Sequence, residues 1–409
     1  MDTLEKVEIL GREARYDLCG EGYQADEGLG RWIYPALMPN GKRINLLKIL
    51  LTNACENDCF YCANRAGRDF RRLSFSPDEL ARAFDQMWRK GLVQGLFLSS
   101  AICDVTRTMD RMIATVELVR EKYAFPGYIH LKLLPGATPA QVERAIELAD
   151  RVSVNLEAPS KERLARIAPS KDFDAGLFEP LRLASKLIRQ GKGSSPYGPR
   201  AAEAGLTTQF VVGAAGESDL ELLRVAARLY QELGLRRVYF KAFQPIPDTP
   251  LEDHPPTPLL RQDRLYQADF LLRKYDFKLE ELIFGEDGNL PPEADPKLMW
   301  ALGHPDFFPV EINSASREEL LRVPGIGPLS ASRIVELRRE GKFRSLSDLQ
   351  KVGVVAKRAA PFILLNGRRP PYQLSLLGEL KCEGFCHRNA RSPDFALQDR
   401  GERWPSTSS

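Results

Sequence analysis

Residues 53–62 read Asn53-Ala54-Cys55-Glu56-Asn57-Asp58-Cys59-Phe60-Tyr61-Cys62. The three cysteines have the spacing C-x3-C-x2-C, and no fourth cysteine lies nearby in the sequence. Thiolates are soft ligands that suit zinc or iron–sulfur clusters, whereas a structural zinc site normally closes with four protein ligands. Three cysteines therefore indicate a four-iron cluster with one iron left open to an outside ligand. Zinc and buried core cysteines are the alternatives.

At these residues the chain resembles the radical S-adenosylmethionine (SAM) superfamily, which carries C-x3-C-x-aromatic-C after its first barrel strand. Tyr61 occupies the aromatic position. The resemblance implies a 4Fe–4S cluster on Cys55, Cys59 and Cys62 whose open iron binds S-adenosyl-L-methionine. A one-electron reductant of the flavodoxin or ferredoxin type would then release a 5′-deoxyadenosyl radical, which abstracts hydrogen from the substrate.

Strand-like and helix-like stretches alternate from about residue 44 to 245. This alternation predicts parallel strands joined by crossover helices. Six such units match the partial (β/α)6 TIM-like barrel of the radical SAM family, which has its active site at the carboxyl ends of the strands. The predicted strands are Ile44–Leu51, Val93–Ser99, Tyr128–Leu133, Val152–Leu156, Thr207–Val212 and Arg237–Phe240.

The chain of 409 residues has room for two or three domains. Neither a membrane-spanning apolar run nor a signal-peptide pattern is evident, so we expect a cytoplasmic protein with reduced thiols. The predicted segments are an N-terminal extension at 1–40, a radical SAM barrel at 41–290, a Pro-rich linker at 291–310, an all-α DNA-binding domain at 311–366 and a disordered tail at 367–409.

The barrel strands supply weaker candidates for binding the cofactor. After its second strand the family usually carries Gly-Gly-Glu, whereas this chain has Ser99-Ser100 and no glutamate. Alternation along the fourth strand places Asn155 and Glu157 on one face, at the position that binds ribose in the family. Gly213 resembles part of the adenine-side glycine motif. The expected cofactor-binding residues are Tyr61, Ser99, Ser100, Asn155, Glu157 and Gly213, while Lys132 and Gln209 have no assigned role.

Basic charge is concentrated near the C-terminus. Residues 311–369 contain 12 Lys/Arg and 6 Asp/Glu, a net +6, although the whole chain carries only +3. The run Val323-Pro324-Gly325-Ile326-Gly327 resembles a helix-hairpin-helix motif, and Val352-Gly353-Val354-Val355 resembles a looser second copy. Hairpin amides and a helix N-terminus form a phosphate site. We expect double-stranded DNA to bind, without sequence preference, at Gly325, Gly327, Arg333, Gly353 and Lys357.

The tail contains Gln373-Leu374-Ser375-Leu376-Leu377, which resembles the sliding-clamp-binding pentapeptide of bacteria. Leu377 departs from the usual phenylalanine, and a small packing helix is the alternative. The expected clamp contacts are Gln373, Leu374, Leu376 and Leu377. Cys382 and Cys386 are the only other cysteines with metal-like spacing, and in a tail they are more plausibly incidental.

A radical SAM core followed by helix-hairpin-helix segments resembles a bacterial family described as DNA modification or repair radical SAM proteins. The combination predicts an enzyme that performs radical chemistry on nucleic acid, most plausibly DNA, with a buried base flipped or already unpaired. Two alternatives stay open. One is a radical SAM enzyme acting on RNA such as tRNA, and the other is a DNA-binding iron–sulfur adaptor at the sliding clamp.

Overall fold

The computed structural model describes residues 2–14, 32–37, 43–191 and 202–372. These residues form two compact units, which are described separately. The first contains the described residues up to Glu217 together with 228–259, and the second contains 218–227 and 260–372. No helix in the described ranges is both long and apolar enough to cross a membrane.

The first unit is built on a seven-stranded sheet whose strands lie side by side in chain order. β1 pairs antiparallel with β2, and every later neighbour pairs in parallel. Six parallel strands in sequential order, with helices between them, form the open half-barrel that the sequence predicts. The strands are β1 (Ile33–Leu37), β2 (Arg43–Leu50), β3 (Gly95–Ser99), β4 (Tyr128–Lys132), β5 (Arg151–Ser153), β6 (Gly205–Val212) and β7 (Arg237–Ala242).

The helices begin where the sequence supplies caps. Ser76 precedes Pro77, and its side chain and that of Glu79 form a reciprocal capping box at the start of α2. Thr138 and Gln141 do the same for α4. The helices up to the end of the barrel are α1 (Thr3–Glu13), α2 (Pro77–Arg89), α3 (Val105–Glu117), α4 (Pro139–Leu148), α5 (Lys161–Ala165), α6 (Glu179–Arg189), α7 (Asp219–Leu233) and α8 (Leu259–Lys274).

Two features of the first unit differ from the sequence expectation. The fourth predicted strand, Val152–Leu156, is shorter: β5 ends at Ser153, and farther on an isolated bridge between Glu157 and Phe210 pairs the chain with β6 again. The positive φ of Glu157, 63°, turns the backbone out of the extended conformation. The N-terminal extension, for which no element was predicted, supplies α1 and the edge strand β1.

The second unit has a small apolar core made by short helices. Ile312, Leu320, Leu321, Ile326 and Ile334 are completely buried in it. A two-stranded parallel ladder, β8 (Val310–Glu311) with β9 (Ile363–Leu364), joins the two ends of this region. The predicted linker contains a helix of its own, α9. The helices are α9 (Pro296–Gly303), α10 (Arg317–Arg322), α11 (Pro328–Leu337), α12 (Leu346–Lys351) and α13 (Ala356–Ala359).

Candidate functional site

The cysteine loop follows β2 and spans the carboxyl edge of the half-barrel. The Glu56 amide donates to the Ile102 carbonyl after β3 (2.7 Å), and the Phe60 amide donates to the Ile167 carbonyl beyond β5 (2.8 Å). Farther along, Arg68 Nε donates to the Pro247 carbonyl after β7 (3.0 Å). These bonds tie the loop to both sides of the sheet and place its thiols over the strand ends.

One arginine connects the two ends of this loop through hydrogen bonds to backbone carbonyls. Arg72 donates to the carbonyls of Asn53 and Asn64 (both 2.8 Å), Arg65 (2.6 Å) and Arg68 (3.0 Å). The fixed fork of a guanidinium suits several acceptors at once. The completely buried Asn53 reinforces the closure, because its side chain exchanges hydrogen bonds with the backbone of residues 71 and 73. These hydrogen bonds therefore fix the conformation of the loop.

A cavity of about 390 Å³ lies beneath the loop. All three cysteines line it, together with polar side chains from strand ends and loops. Cys59 is buried, whereas Cys55 and Cys62 are partly exposed. Burial raises the pKa of Cys62 to about 12, so the metal-free thiol is neutral and a metal must displace its proton. The polar side chains lining the cavity are Glu13, Asn57, Tyr61, Asn64, Ser100, Lys132, Asn155, Glu157, Lys171, Gln209, Lys241 and Gln244.

A buried lysine links the aromatic residue of the loop to the end of β5. Lys171 Nζ lies 3.3 Å from Tyr61 Oη and 3.4 Å from Glu157 Oε1. Burial alone would lower the pKa of Lys171, but the negative charges of the Cys59 thiolate and the Glu157 carboxylate outweigh that effect and raise the pKa. Lys171 therefore stays charged and holds Tyr61 and Glu157 at the same wall.

Among the described residues, three buried polar atoms of the cavity lining have no hydrogen-bond partner: Glu13 Oε2, Asn64 Oδ1 and Ser100 Oγ. Buried polar groups are nearly always satisfied, and an orphan needs an explanation such as a missing ligand. Burial also raises the pKa of Glu13, an effect that a hydrogen bond with Asn53 partly offsets. The region is thus built for a polar ligand next to the cysteines.

The structure brings most of the expected cofactor-binding residues to this cavity. Tyr61, Ser100, Asn155 and Glu157 line it, whereas Ser99 and Gly213 do not. Ser99 is buried at the end of β3, where its carbonyl accepts from the Leu51 amide. The Gly213 amide is used locally, because it donates to the Glu217 carboxylate.

Two hairpins in the second unit interlock. The first joins α10 to α11 and the second joins α12 to α13, with Gly325 (φ +86°) and Gly353 (φ +93°) in left-handed conformations that favour glycine. The Val355 amide donates to the Gly325 carbonyl (2.9 Å). A Cβ on Gly325 would lie only 2.6 Å from the Val355 carbonyl oxygen. Glycine is therefore needed at position 325 for the two hairpins to pack together, whether or not Gly325 also contacts DNA.

The two hairpins differ in exposure. Gly327 is buried at the N-terminus of α11, and buried Lys297 donates to the adjacent Ile326 carbonyl (2.6 Å). Gly353, Lys357 and Arg333 are exposed. Arg333 also lies beside the second hairpin, with Nη1 3.4 Å from the Val352 carbonyl. Of the five expected DNA contacts, the structure brings Arg333 and Gly353 together and leaves Gly327 covered.

Comparison with protein families agrees with these two regions. Residues 49–195 match the profile of the Radical SAM superfamily. The chain contains a radical SAM domain. Residues 307–360 match the helix-hairpin-helix motif. Both resemblances inferred from the sequence are thereby confirmed for the matched residues.

Two curated proteins are similar in sequence to parts of this chain. The threonylcarbamoyladenosine tRNA methylthiotransferase MtaB of Thermotoga maritima is 23% identical over 226 residues, 54% of this chain and 49% of that protein. The kinesin-like protein KIN-10C of Arabidopsis thaliana is 49% identical over 47 residues, 12% of this chain and 7% of that protein. The chain thus spans at most about half the length of the curated relatives it matches.

Among solved structures, HydG, a maturase of the FeFe-hydrogenase, is similar over 55% of this chain and 48% of its own chain. The TM-score is 0.43 and the sequence identity 12%. The strand order and the direction of strand pairing described above define the fold of the radical SAM domain independently of this likeness.

The donor set of the radical SAM domain fits the cofactors that the family implies. Three thiols line one cavity, and the orphaned polar atoms beside them suit the polar groups of a nucleoside amino acid. Within the described ranges no three His, Cys, Asp or Glu side chains converge on a single metal ion. A four-iron cluster takes each thiolate on a different iron, so it needs wider spacing than one ion does.

Sequence reasoning missed several of the residues that line the cavity. Glu13 comes from the C-terminal end of α1, and Lys171 comes from the loop after α5; neither segment carries a motif. Lys241 was also missed, although it follows the alternation Arg237-Val238-Tyr239-Phe240-Lys241 that signals a two-faced strand. The predicted clamp contacts Gln373, Leu374, Leu376 and Leu377, like Cys382 and Cys386, lie outside the described residues.

Proposed function

We propose that this protein is a radical SAM enzyme that modifies or repairs nucleic acid, with DNA as its substrate. The observation that carries the proposal is the placement of Cys55, Cys59 and Cys62 around one cavity at the carboxyl edge of the half-barrel. The same chain carries a helix-hairpin-helix motif in a segment with a net charge of +6. Positive charge concentrated in such a motif favours a polyanionic partner.

In this proposal the three cysteines hold a 4Fe–4S cluster, and S-adenosylmethionine occupies the adjoining part of the cavity. When bound and reduced by one electron, these groups supply hydrogen abstraction from carbon. The chain would orient the cofactor: Tyr61 and Asn155 line the cavity beside the cysteines, and Lys171 holds Glu157 at the same wall of the cavity. Ser100 and Glu13 offer acceptors near the cysteines, where the glutamate of the usual Gly-Gly-Glu motif is missing.

The hairpins would hold the phosphate backbone while the barrel presents its chemistry to one base. Exposed Arg333 and Lys357 beside Gly353 support a backbone-reading surface. Contacts to phosphates position a protein without reading sequence, so the choice of base would belong to the cavity. RNA is the second candidate substrate, because one matched relative is named as a tRNA methylthiotransferase.

The test is a direct search for product. Anaerobically reconstituted full-length protein is incubated with reductant and S-adenosylmethionine, together with either duplex DNA, nicked or mismatched DNA, or total tRNA. The nucleic acid is then digested and its nucleosides are compared by mass spectrometry. We expect 5′-deoxyadenosine in every reaction and a nucleoside of altered mass only with the true substrate. Protein with alanine at all three cysteine positions is the matched control.

The outcome separates the alternatives. A new nucleoside from DNA supports the proposal, and one from tRNA alone supports the RNA alternative. Protein that carries one zinc and no iron under anaerobic handling, and that forms no 5′-deoxyadenosine, would contradict the enzyme and favour the adaptor.

A further inference from the structure

The segment that follows α5 is bonded to the cysteine loop through its side chains. Ser170 Oγ donates to Asp58 Oδ1 (2.6 Å), and Lys171 Nζ donates to Tyr61 Oη (3.3 Å). Both acceptors lie within two residues of Cys59 in the sequence, and Cys59, Tyr61 and Lys171 all line the same cavity. These bonds therefore hold the ammonium group of Lys171 beside the thiols of the loop.

Lys171 and Glu157 form an ion pair that is almost completely buried. Their charged atoms are 3.4 Å apart, and the two side chains are only 9% and 8% exposed. The free energy needed to remove two charges from water often exceeds their mutual attraction, so a buried pair is weak evidence for stability. Buried charges that face a specific partner in a cleft are instead candidates for a role in the chemistry of the site.

The two charges of this pair do not act equally on the thiols. Burial raises the pKa of Cys59, and Lys171, which lowers that pKa, has a larger effect on it than Glu157, which raises it. Asp58 raises it too, but by less. At Cys62, burial and the neighbouring Cys59 raise the pKa, and Lys171 opposes them. The ion pair as a whole thus presents positive potential to the cysteines.

A positive charge in this place affects the uptake of an electron. The proposed chemistry begins with a one-electron reduction, which adds one negative charge and no proton beside the thiolates. The potentials of thiolate-bound iron–sulfur clusters depend on net charge, on hydrogen bonds to the sulfurs and on solvent exposure. Interactions between charges are stronger in a buried site than in water. A buried ammonium group beside the thiolates therefore favours the reduced form.

We propose that Lys171 raises the reduction potential of the cluster held by Cys55, Cys59 and Cys62, with Glu157 as a weaker opposing charge. The inference rests on the proposed function, because it takes the three cysteines as cluster ligands. Lys171 acts on the cluster through space and not as a ligand, so its removal should shift the potential without loss of iron. The side chain would thereby determine how strong a reductant the enzyme needs.

The test is a redox titration of cluster-loaded full-length protein. S-adenosylmethionine is left out, so that the charges of the cofactor do not enter the measurement. The EPR signal of the reduced cluster is recorded at a series of fixed potentials under anaerobic conditions. K171Q should lower the ratio of reduced to oxidised cluster by about tenfold, which corresponds to a shift of about 59 mV to lower potential. E157Q should shift the potential in the opposite direction and by less.

Three further variants serve as controls. K171R keeps the charge and should restore the wild-type potential, and the double variant K171Q/E157Q should fall between the two single variants. K161Q should change nothing, because Lys161 is exposed on α5, outside the cavity, and lies 3.6 Å from Asp174 at the surface. The other charged groups of the cavity are the same in all these proteins, so their contributions cancel in the comparison.

Iron content is measured for every protein alongside the potential. Opposite shifts in K171Q and E157Q support the inference, since a purely structural role would not give effects of opposite sign. Equal potentials in wild type and both single variants, shifts in the same direction, or loss of iron from K171Q in place of a shift would overturn it. Wild-type protein that takes up no iron would instead contradict the proposed function itself, so the two failures are distinguishable.

Discussion

The thiol groups of the cysteine loop share their cavity with one buried ion pair. Cys59 is the most enclosed of the three thiols, and Lys171 and Glu157 lie against the same wall. The protein supplies these groups before any cluster is present, so individual side chains can be tested in both the metal-free and the loaded protein.

Cys59→Ala should abolish iron incorporation and the cleavage of S-adenosylmethionine, because the cluster loses one of only three thiolate ligands. Cys103→Ala is the matched control, since Cys103 is an exposed cysteine outside the motif. The measurements are iron content, the EPR signal of the reduced cluster and 5′-deoxyadenosine yield. Cleavage that persists in Cys59→Ala protein would reject the ligand assignment.

Lys171→Gln should destabilise the metal-free protein by about 3 kcal/mol, because removing one partner of a buried pair leaves the other charge uncompensated. The two side chains are only 9% and 8% exposed. Lys171→Gln with Glu157→Gln should recover most of that loss, because no isolated charge remains. Urea unfolding of the four proteins of this cycle gives the coupling free energy, and a coupling of zero would show that the pair is not electrostatically linked.

At the scale of a structural element, the conformation of the cysteine loop depends on a single residue, Arg72. Arg72→Ala removes the donors to four carbonyls and should lower the free energy of unfolding by about 1–3 kcal/mol. Cluster retention should fall as well, because the loop ends are no longer tied together. Arg71→Ala is the control: Arg71 pairs with Glu5 at the surface, where ion pairs contribute about 0–1 kcal/mol. Equal cluster loss from both variants would argue against the proposal that Arg72 holds the ends of the loop together.

The second hairpin should contribute more to DNA binding than its looser sequence suggests, because Gly353 and Lys357 are exposed whereas Gly327 is covered. Lys357→Gln should weaken binding to duplexes of any sequence and reduce the slope of log affinity against log salt by about one. Fluorescence anisotropy over a salt series measures both. Lys90→Gln, at an exposed site beyond α2, should leave the slope unchanged.

Most helices and strands could be predicted because the sequence features that mark them, such as caps and apolar runs, are local. The serine before Pro77 marks the start of α2, and the apolar run at Ile44–Leu51 marks β2 to within one residue at each end. The end of β5 at Ser153 could not be predicted, because the alternation of apolar and polar residues continues to Leu156 and no turn residue marks the end. Lys171 and Glu13 were not predicted for another reason. They are distant from the cysteines in the sequence, and only folding brings them to the same cavity.

For the molecule as a whole, the hairpin region is larger than the motif that identified it. Arg322 donates to the carbonyls of Tyr275 and Asp276 and pairs with Glu281 (2.8 Å), and Asp295 pairs with Arg358. Residues from 275 onward therefore support the helices that carry the hairpins. The boundary of the DNA-binding domain at 311 stays a prediction, and truncation there would remove these partners.

A chain ending at Tyr372 should retain full DNA affinity, thermal stability and S-adenosylmethionine cleavage, because the apolar core of the second unit ends at Leu365. It should lose any affinity for the sliding clamp, since Gln373–Leu377 is removed. Clamp titration and melting curves of the full and shortened chains test both statements. Clamp binding by the shortened chain would leave the pentapeptide without a role, and a large drop in melting temperature would show that the tail supports the fold.

The two-faced strands of the half-barrel have a consequence for how this chain can change over time. Folding energy comes mainly from the outer face of these strands, where Leu47, Leu98, Leu131 and Phe240 are completely buried. The residues Lys132, Gln209 and Lys241 instead line the cavity. Lys132, Gln209 and Lys241 can therefore be randomised together with little loss of thermostability. A library at these three positions would therefore test whether the choice of substrate can change while the fold is kept, and natural descendants of such a barrel have the same freedom to diverge.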